Sequence, residues 1–349
     1  MAAVIQAVPP KQKKPFVRRL ERDRSQTLRR AVQFSFLLLN LWIGVEFVLW
    51  VRQFEGSGLQ GWSRPAGVEG WLPIAGMMNT KYFLLTGKIP VIHPAAMFLF
   101  MTFATLSLFL RKAFCGWLCP VGTVSELLWK LGRDTFKRNW ILPRWLDIPL
   151  RSLKYILMGL FLYAVGSMSV EAIGAFLYSP YGVVADVKML NFFRYMSTGA
   201  AVTVGVLVVA SVFIRNFWCR YLCPYGALMG LVSLLSPLRI RRNEARCIDC
   251  AKCAKACPAG LAVDKLVQIR SAECLGCMEC VAVCPADDCL GMSVVATRKW
   301  VDPRWIAAAI VLVFVSVACA ARWSGHWDSP IPDAMYQRLV PQAEDLGHP

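Results

Sequence analysis

Five long apolar stretches alternate with polar segments along the chain. They run from about Ala31 to Val51, Pro94 to Leu110, Ile148 to Met168, Ser197 to Ile214, and Trp305 to Ala321. Each approaches the ~20 residues that a helix needs to cross a bilayer. Hydrophobic residues make up 56% of the chain, more than in an ordinary soluble domain. The pattern therefore predicts a mainly α-helical membrane protein with five transmembrane helices.

Two further apolar stretches, Trp71 to Leu85 and Val170 to Phe193, are interrupted by proline and glycine. An interrupted apolar stretch more often lies at the membrane interface than crosses the bilayer. We therefore expect both stretches to stay on the outer side of the membrane.

Lysine and arginine are distributed unevenly between the apolar stretches. Residues 11–30 hold 9 of them, residues 111–151 hold 8, and residues 215–304 hold 13. Five spans place these three segments on one side, which the positive-inside rule assigns to the cytoplasm. We expect a multi-pass protein of the bacterial inner membrane with a cytoplasmic N-terminus and a periplasmic C-terminus. Because topology explains the net charge of +17, no nucleic-acid partner is predicted.

The strongest motif lies between Arg241 and Val295, where the run CxxCxxCxxxCP occurs twice. In such runs three cysteines ligate one [4Fe–4S] cluster and the fourth ligates the other. The spacing predicts an inserted bacterial-type 2[4Fe–4S] ferredoxin domain of the α+β class, which topology makes cytoplasmic. The predicted ligands are Cys247, Cys250, Cys253 and Cys284 for one cluster, and Cys274, Cys277, Cys280 and Cys257 for the second.

Zinc is the alternative for these runs, because CxxC pairs also suit tetrahedral zinc. Zinc does not explain the third cysteine of each run or the proline that follows the fourth. Two other cysteines, Cys289 and Cys319, lie outside the runs, and we interpret them as packing residues.

A shorter element, CxxxCP, ends two of the apolar stretches and precedes a short apolar segment each time. It contains Cys115 and Cys119 in the first copy and Cys219 and Cys223 in the second. The first four spans thus form two repeated hairpins, which implies a pseudo-twofold axis along the bilayer normal. Cysteines at i and i+4 of a helical turn share a face, so the repeat brings four thiols together. They could hold a third iron–sulfur centre, form reversible disulfides, or simply pack.

These features divide the chain into five parts. They are a basic cytoplasmic tail (1–30), a four-helix membrane domain with two CxxxCP elements (31–239), a ferredoxin domain (240–296), a fifth transmembrane helix (297–323) and a short periplasmic tail (324–349).

Two ionisable residues are candidates for contact with a quinone. Glu46 lies within the first predicted span, where a charge is costly and often functional. His93 lies at the outer entrance of the second span and could bond a quinone carbonyl or take its proton, or instead cap the helix. His326 and its tryptophan neighbours suit an interfacial anchor. Since no histidine lies inside a predicted span, a transmembrane bis-histidine haem is excluded.

The combination of two CxxxCP elements with two ferredoxin runs resembles the polyferredoxin membrane proteins of the NapH, NosR and CcoG type over roughly residues 31–322. That family includes a quinol-oxidising subunit of periplasmic nitrate reductase systems, a membrane protein supporting nitrous oxide reduction, and an oxidase assembly factor. The resemblance implies a lipid-embedded electron relay with a quinol, a redox protein or complex subunits as partners. The chain has no room for the periplasmic flavin domain of the NosR type, so no covalent flavin is implied.

Three functions follow as hypotheses. The first is an electron carrier between the quinone pool or a redox partner and a reductase system, which would make the chain a quinol dehydrogenase subunit. The second is a redox-active assembly, metal-reducing or regulatory protein for another metalloenzyme. The third is a membrane anchor in which the clusters are structural.

Overall fold

The computed structural model describes residues 17–20, 23–137, 139–140 and 142–348. Residues 1–16, within the predicted basic tail, lie outside that part. The described α-helices are α1 (Ser25–Phe54), α2 (Pro73–Thr86), α3 (Pro94–Phe109), α4 (Pro120–Phe136), α5 (Arg144–Ser167), α6 (Val170–Leu177), α7 (Pro180–Val183), α8 (Ala185–Arg194), α9 (Thr198–Phe213), α10 (Pro224–Val232), α11 (Lys252–Ala256), α12 (Glu279–Ala282), α13 (Pro303–Trp323) and α14 (Asp333–Leu339).

Each of the five predicted apolar stretches coincides with a helix: α1, α3, α5, α9 and α13. Among the described residues, α1, the Trp145–Ser167 part of α5, and α13 are long and apolar enough to cross a membrane. Helices α8 and α9 qualify only as a pair, which is bent by 82°. The protein is therefore mainly helical with three or four candidate spans, and the count of five stays a prediction.

Helix α3 lies at the centre of the bundle and packs against α2, α10 and α13. Its buried side chains include Leu99, Phe103 and Leu106. The Phe103 ring stacks on Phe114 with centroids 4.0 Å apart. Because α3 has only 16 residues and protein on several sides, much of its apolar surface is buried against other helices.

The cysteine-rich segment is bounded by two short strands, β1 (Leu238–Arg242) and β2 (Leu290–Val294). They pair antiparallel, with Leu238 opposite Val294 and Arg242 opposite Leu290. The two cysteine runs and the short helices α11 and α12 lie between these strands in the sequence. The segment therefore combines helix and strand, as predicted for a ferredoxin unit.

Buried charged side chains join this segment to the helices around it. Arg29 of α1 donates to Glu126 of α4 at 2.8 Å and to Glu279 of α12 at 3.1 Å. Lys154 of α5 donates to Glu273 at 2.6 Å. Removal of one partner from such a pair leaves an uncompensated buried charge, which is strongly destabilising. These pairs therefore fix the orientation of the cysteine-rich segment against the helices.

The C-terminal segment, predicted as a short tail, folds back onto the helices. Tyr336 of α14 packs edge-on against Trp50 of α1, with ring centroids 4.9 Å apart. Lys188 of α8 donates to the carbonyl oxygens of Ala343 and Leu346 at 2.6 and 2.7 Å. This segment is therefore part of the packed structure.

Gly132 of α4 lies so close to α9 that a Cβ would overlap the carbonyl oxygen of Val212. A change from glycine to alanine inside a helix normally stabilises by roughly 1 kcal/mol. We predict the opposite at this position, a lower melting temperature of Gly132→Ala in detergent, because overpacking costs about 1–3 kcal/mol. The control is Gly205→Ala on α9, where a Cβ meets nothing within 4 Å. A Gly132→Ala melting temperature at or above that of the control would contradict this packing.

Candidate functional site

Each CxxxCP element forms one π-helical turn, at Phe114–Leu118 and at Trp218–Leu222. The Cys119 N–H donates to the Phe114 carbonyl at 2.8 Å, and the Cys223 N–H donates to the Trp218 carbonyl at 3.0 Å. The sequence predicted ordinary helical turns, and the π turns correct that prediction. Single π turns are rare and concentrate at functional sites.

The proline of each element explains where the turn ends. A residue before proline is driven out of the α region, and Cys119 and Cys223 have ψ values of 116° and 104°. The prolines then occupy the first position of α4 and α10, where a missing N–H costs nothing. The second cysteine of each element is thereby placed at the N-terminus of a new helix.

These two cysteines cap their helices through sulfur. Cys119 Sγ accepts from the Gly122 N–H at 3.4 Å, and Cys223 Sγ accepts from the Gly226 N–H at 3.2 Å. A helix N-terminus favours a thiolate, and N–H donors to sulfur are among the groups that tune iron–sulfur clusters. Burial raises the pKa of both free thiols, and the N–H donors partly offset this effect. The two N–H donors would therefore support a metal-bound thiolate at each position.

The structure brings all four CxxxCP cysteines to the wall of one cavity. None of the four forms a disulfide. Lys112, which is buried, lines the same cavity and interacts electrostatically with Cys115, Cys219 and Cys223. A buried ammonium group offsets the negative charge that thiolate ligands would carry. The donor set and its surroundings fit an iron–sulfur cluster.

The eight ferredoxin cysteines separate into the two interleaved sets that the sequence predicted. One small cavity is lined by Cys247, Cys250, Cys253 and Cys284, and another by Cys257, Cys274, Cys277 and Cys280. Cys289 also lines the first cavity, so it lies beside predicted ligands rather than in a remote part of the core. Cys250 is exposed, whereas most of the others are buried.

Within the described residues, no group of three or more His, Cys, Asp or Glu side chains converges closely enough to hold a single metal ion. One zinc ion keeps its thiolates at ~2.3 Å, so its ligands must lie close together.

The second cysteine run meets the first CxxxCP turn at Leu275. A Cβ on Gly116 would lie 2.5 Å from the Leu275 carbonyl oxygen, so only glycine allows this approach. Trp117 Nε1 donates to the Gly276 carbonyl at 3.2 Å. Leu275 also lines the cavity that contains the four CxxxCP cysteines. The two groups of cysteines are therefore separated by one tightly packed contact.

The cavity has a volume of about 1110 Å³, at the upper end for ligand pockets. Apolar residues of α1, α3 and α13 form part of its wall, among them Phe36, Leu99 and Phe314. Glu46 and Cys319 also line it. The prediction of Cys319 as a packing residue is wrong, because its side chain is exposed.

Far along α1 from the CxxxCP cysteines, a buried group of charges borders the cavity. Arg64, which lines the cavity, donates to Glu69 at 2.7 Å and to Asp186 at 2.7 Å. His93 Nδ1 lies 3.3 Å from Glu69 Oε1, and His93 Nε2 lies 2.8 Å from the Gly182 carbonyl oxygen. Single-sequence reasoning missed this group, since its members are far apart in the chain.

His93 is the N-cap residue of α3, but its side chain makes no capping hydrogen bond. It is not among the described residues that line the cavity, and its contact with a quinone stays a prediction. Glu69 supplies the cap instead, by accepting from the Ala96 N–H at 3.0 Å. Burial alone would lower the pKa of His93, but the hydrogen bond and negative charge of Glu69 outweigh it and raise that pKa. The pKa of Glu69 is lowered, because Arg64 and His93 outweigh the effect of its own burial.

Protein-family models match both the CxxxCP elements and the ferredoxin segment. A 4Fe–4S binding domain model matches residues 92–139 and again 197–243, each containing one CxxxCP element. A 4Fe–4S dicluster domain model matches residues 240–292. The chain therefore carries iron–sulfur binding domains around both groups of cysteines.

Three curated relatives illustrate the similarity. The putative electron transport protein YccM of Escherichia coli is 52% identical over 92% of this chain and 92% of its own length. The ferredoxin-type protein NapH of Haemophilus influenzae is 28% identical over 66% of this chain and 73% of its own length. Protein NirI of Paracoccus denitrificans is 30% identical over 60% of this chain, a match that spans 30% of NirI. No solved structure matches the chain.

The raised pKa of His93 predicts a pH dependence of stability. A raised pKa in the folded state contributes stability below the unfolded value of about 6.5, and this is lost as pH rises through the folded value. We predict that, as pH rises above about 6.5, the melting temperature falls by more in the wild type than in His93→Gln. The exposed residue His326 gives the control His326→Gln, which keeps the wild-type slope. An unchanged slope in His93→Gln would contradict this assignment.

Proposed function

Since this chain belongs to the family of NapH- and NosR-type polyferredoxin membrane proteins, we propose that it passes electrons between the quinone pool and a redox partner. Iron–sulfur electron transfer is the property of the family; the quinone pool is our addition. The observation that carries it is the single cavity with four cysteines at one end and apolar walls between the helices. We infer that a lipophilic electron donor enters this cavity from the membrane.

We assign the cofactors by the cysteine sets. Cys247, Cys250, Cys253 and Cys284 would hold one [4Fe–4S] cluster, Cys274, Cys277, Cys280 and Cys257 a second, and the four CxxxCP cysteines a third iron–sulfur centre. Such groups supply one-electron carriers. The family match over both CxxxCP elements supports an iron–sulfur centre there over a structural role for those cysteines.

The contacts also suggest an order for the relay. The run that contains Cys274 and Cys277 meets the CxxxCP turn through Leu275 and Gly116, so its cysteine set is the inner one. The other set includes the exposed Cys250, and we infer that it lies nearest to a docked protein. Electrons would enter or leave the partner through the set that contains Cys250.

The topology completes the proposal. We place the chain in the bacterial inner membrane with five spans, with the ferredoxin unit at residues 240–296 in the cytoplasm and the C-terminus in the periplasm. The distribution of lysine and arginine supports this orientation. The apolar helices and the membrane-protein relatives support membrane association itself.

A redox-active assembly or regulatory role is the second candidate. It is favoured by one relative, named regulatory protein NosR, from Pseudomonas aeruginosa, which is 30% identical over 46% of this chain. In that role the cysteines would reduce a metal or thiol of another protein, and quinol would not reduce the clusters.

Replacement of Cys119 and Cys223 by serine tests the electron-transfer proposal. We predict that the anaerobically purified double variant keeps the electron paramagnetic resonance signals of the two ferredoxin clusters, because their ligands are elsewhere. Reduction of those clusters by a quinol analogue slows at least tenfold, since the intermediate carrier is lost. The control is Cys319→Ser, which removes an exposed thiol that lines the same cavity. This variant transfers electrons at the wild-type rate. Unaltered transfer in the double variant would reject the relay role.

Substitution at Gly116 tests the contact with Leu275. Gly116→Ala and Gly116→Val push the two segments apart by increasing amounts, and electron transfer slows steeply with distance. We predict a graded decrease in the rate of ferredoxin-cluster reduction at unchanged iron content. The control Gly159→Val changes a position where a Cβ meets nothing within 4 Å. Wild-type rates in both Gly116 variants would show that electrons do not cross at this contact.

A further inference from the structure

The end of the cavity remote from the CxxxCP cysteines contains two buried hydrogen-bond donors that the fold leaves unused. Trp327 and Tyr336 both line it and are 6% and 3% exposed. Trp327 Nε1 has no hydrogen-bond partner within the part of the chain that the structure describes. The Tyr336 hydroxyl has none of standard geometry there, although Ser329 lies close enough to interact with it. Ser329, a polar neighbour of Tyr336, donates its own hydroxyl to the Val91 carbonyl at 3.0 Å. A buried donor without a partner costs about 1–3 kcal/mol, so both groups point to a ligand.

The chemistry of this end defines what the ligand must offer. An indole N–H can only donate, so the ligand must carry an accepting oxygen. The neighbouring guanidinium of Arg64 is already held by Glu69 and Asp186, and the carboxylates of Asp328 and Asp333 lie on the same wall. Arg322, whose guanidinium lies over the Trp327 ring, also lines the cavity. Because the two carboxylates outnumber this one cation, they disfavour an anion. The apolar walls beyond favour a neutral, lipophilic molecule.

From these observations we propose that the C-terminal segment forms a binding site for the ring of a quinone-class molecule. Trp327 and Tyr336 donate to its ring oxygens, and apolar residues that line the cavity accommodate its tail. The site rests on the proposed function, to which it adds the residues that recognise the quinone. It also gives the C-terminal segment, predicted only as a tail, a role in ligand binding.

The geometry separates binding from electron transfer. Gln33 of α1 donates to the Gly116 carbonyl at 3.2 Å, whereas Trp50 of α1 contacts Tyr336. At 1.5 Å per residue these positions are about 25 Å apart along the helix. A ring at the outer site is therefore far from the cysteines, and the continuous cavity gives it a path towards them.

The test measures the affinity of a decyl-substituted benzoquinone for the full-length holoprotein in detergent by calorimetry. We expect Trp327→Phe and Tyr336→Phe each to weaken binding roughly tenfold, the loss of about one hydrogen bond. Tyr336→Phe keeps the ring that packs on Trp50, so the fold is preserved. The matched controls Trp323→Phe and Tyr163→Phe alter side chains that are 95% and 76% exposed, and they bind as the wild type does.

Two results would overturn the site. One is wild-type affinity in both Trp327→Phe and Tyr336→Phe, and the other is equal affinity of the wild type for decylbenzene, which lacks the ring oxygens. A second assay, which measures reduction of the clusters by the quinol form, distinguishes this outcome from failure of the proposed function. If the quinol reduces the clusters but the variants bind normally, the site is wrong and the function stands. If the variants lose binding but the quinol reduces no cluster, the site stands and the function is wrong.

Discussion

The structure depends on one close contact, that of the Gly116 backbone with the Leu275 carbonyl oxygen. A side chain at residue 116 would come within 2.5 Å of that oxygen, so the approach requires glycine. The contact joins the π turn that carries Cys115 and Cys119 to the run that carries Cys274 and Cys277. Two groups of cysteines that are remote in the sequence thereby become neighbours, and the interpretation of the chain as a relay follows from that proximity.

Buried charges keep this contact in place. Arg29 binds both Glu126 of α4 and Glu279 of α12, and Lys154 binds Glu273. Charged pairs of this kind add little net stability over apolar packing, but separating the partners is strongly destabilising, because a charge would then be buried alone. A fixed arrangement suits electron transfer, since no domain movement is then needed between neighbouring cysteine sets.

Much of this could be predicted from the sequence, for physical reasons. The length of the apolar stretches predicted the five helices. The spacing of the cysteines predicted the two interleaved sets, which line separate cavities. The π turns could not be predicted from the i, i+4 rule, although the proline after the second cysteine of each element explains where the turn ends. The group formed by Arg64, Glu69, Asp186 and His93 was also missed, because long-range contacts between single charged residues leave no local pattern. His93 therefore seemed open to a ligand, whereas both of its ring nitrogens contact protein groups.

The most direct test of the relay is made on the unmodified protein, isolated without oxygen from membranes. Its iron and sulfide contents are determined, and its electron paramagnetic resonance spectrum is recorded before and after addition of a reduced quinone analogue. The account predicts an iron–sulfur protein whose clusters become reduced on that addition. A colourless, iron-free preparation, or clusters that no quinol can reduce while a strong chemical reductant can, would contradict it.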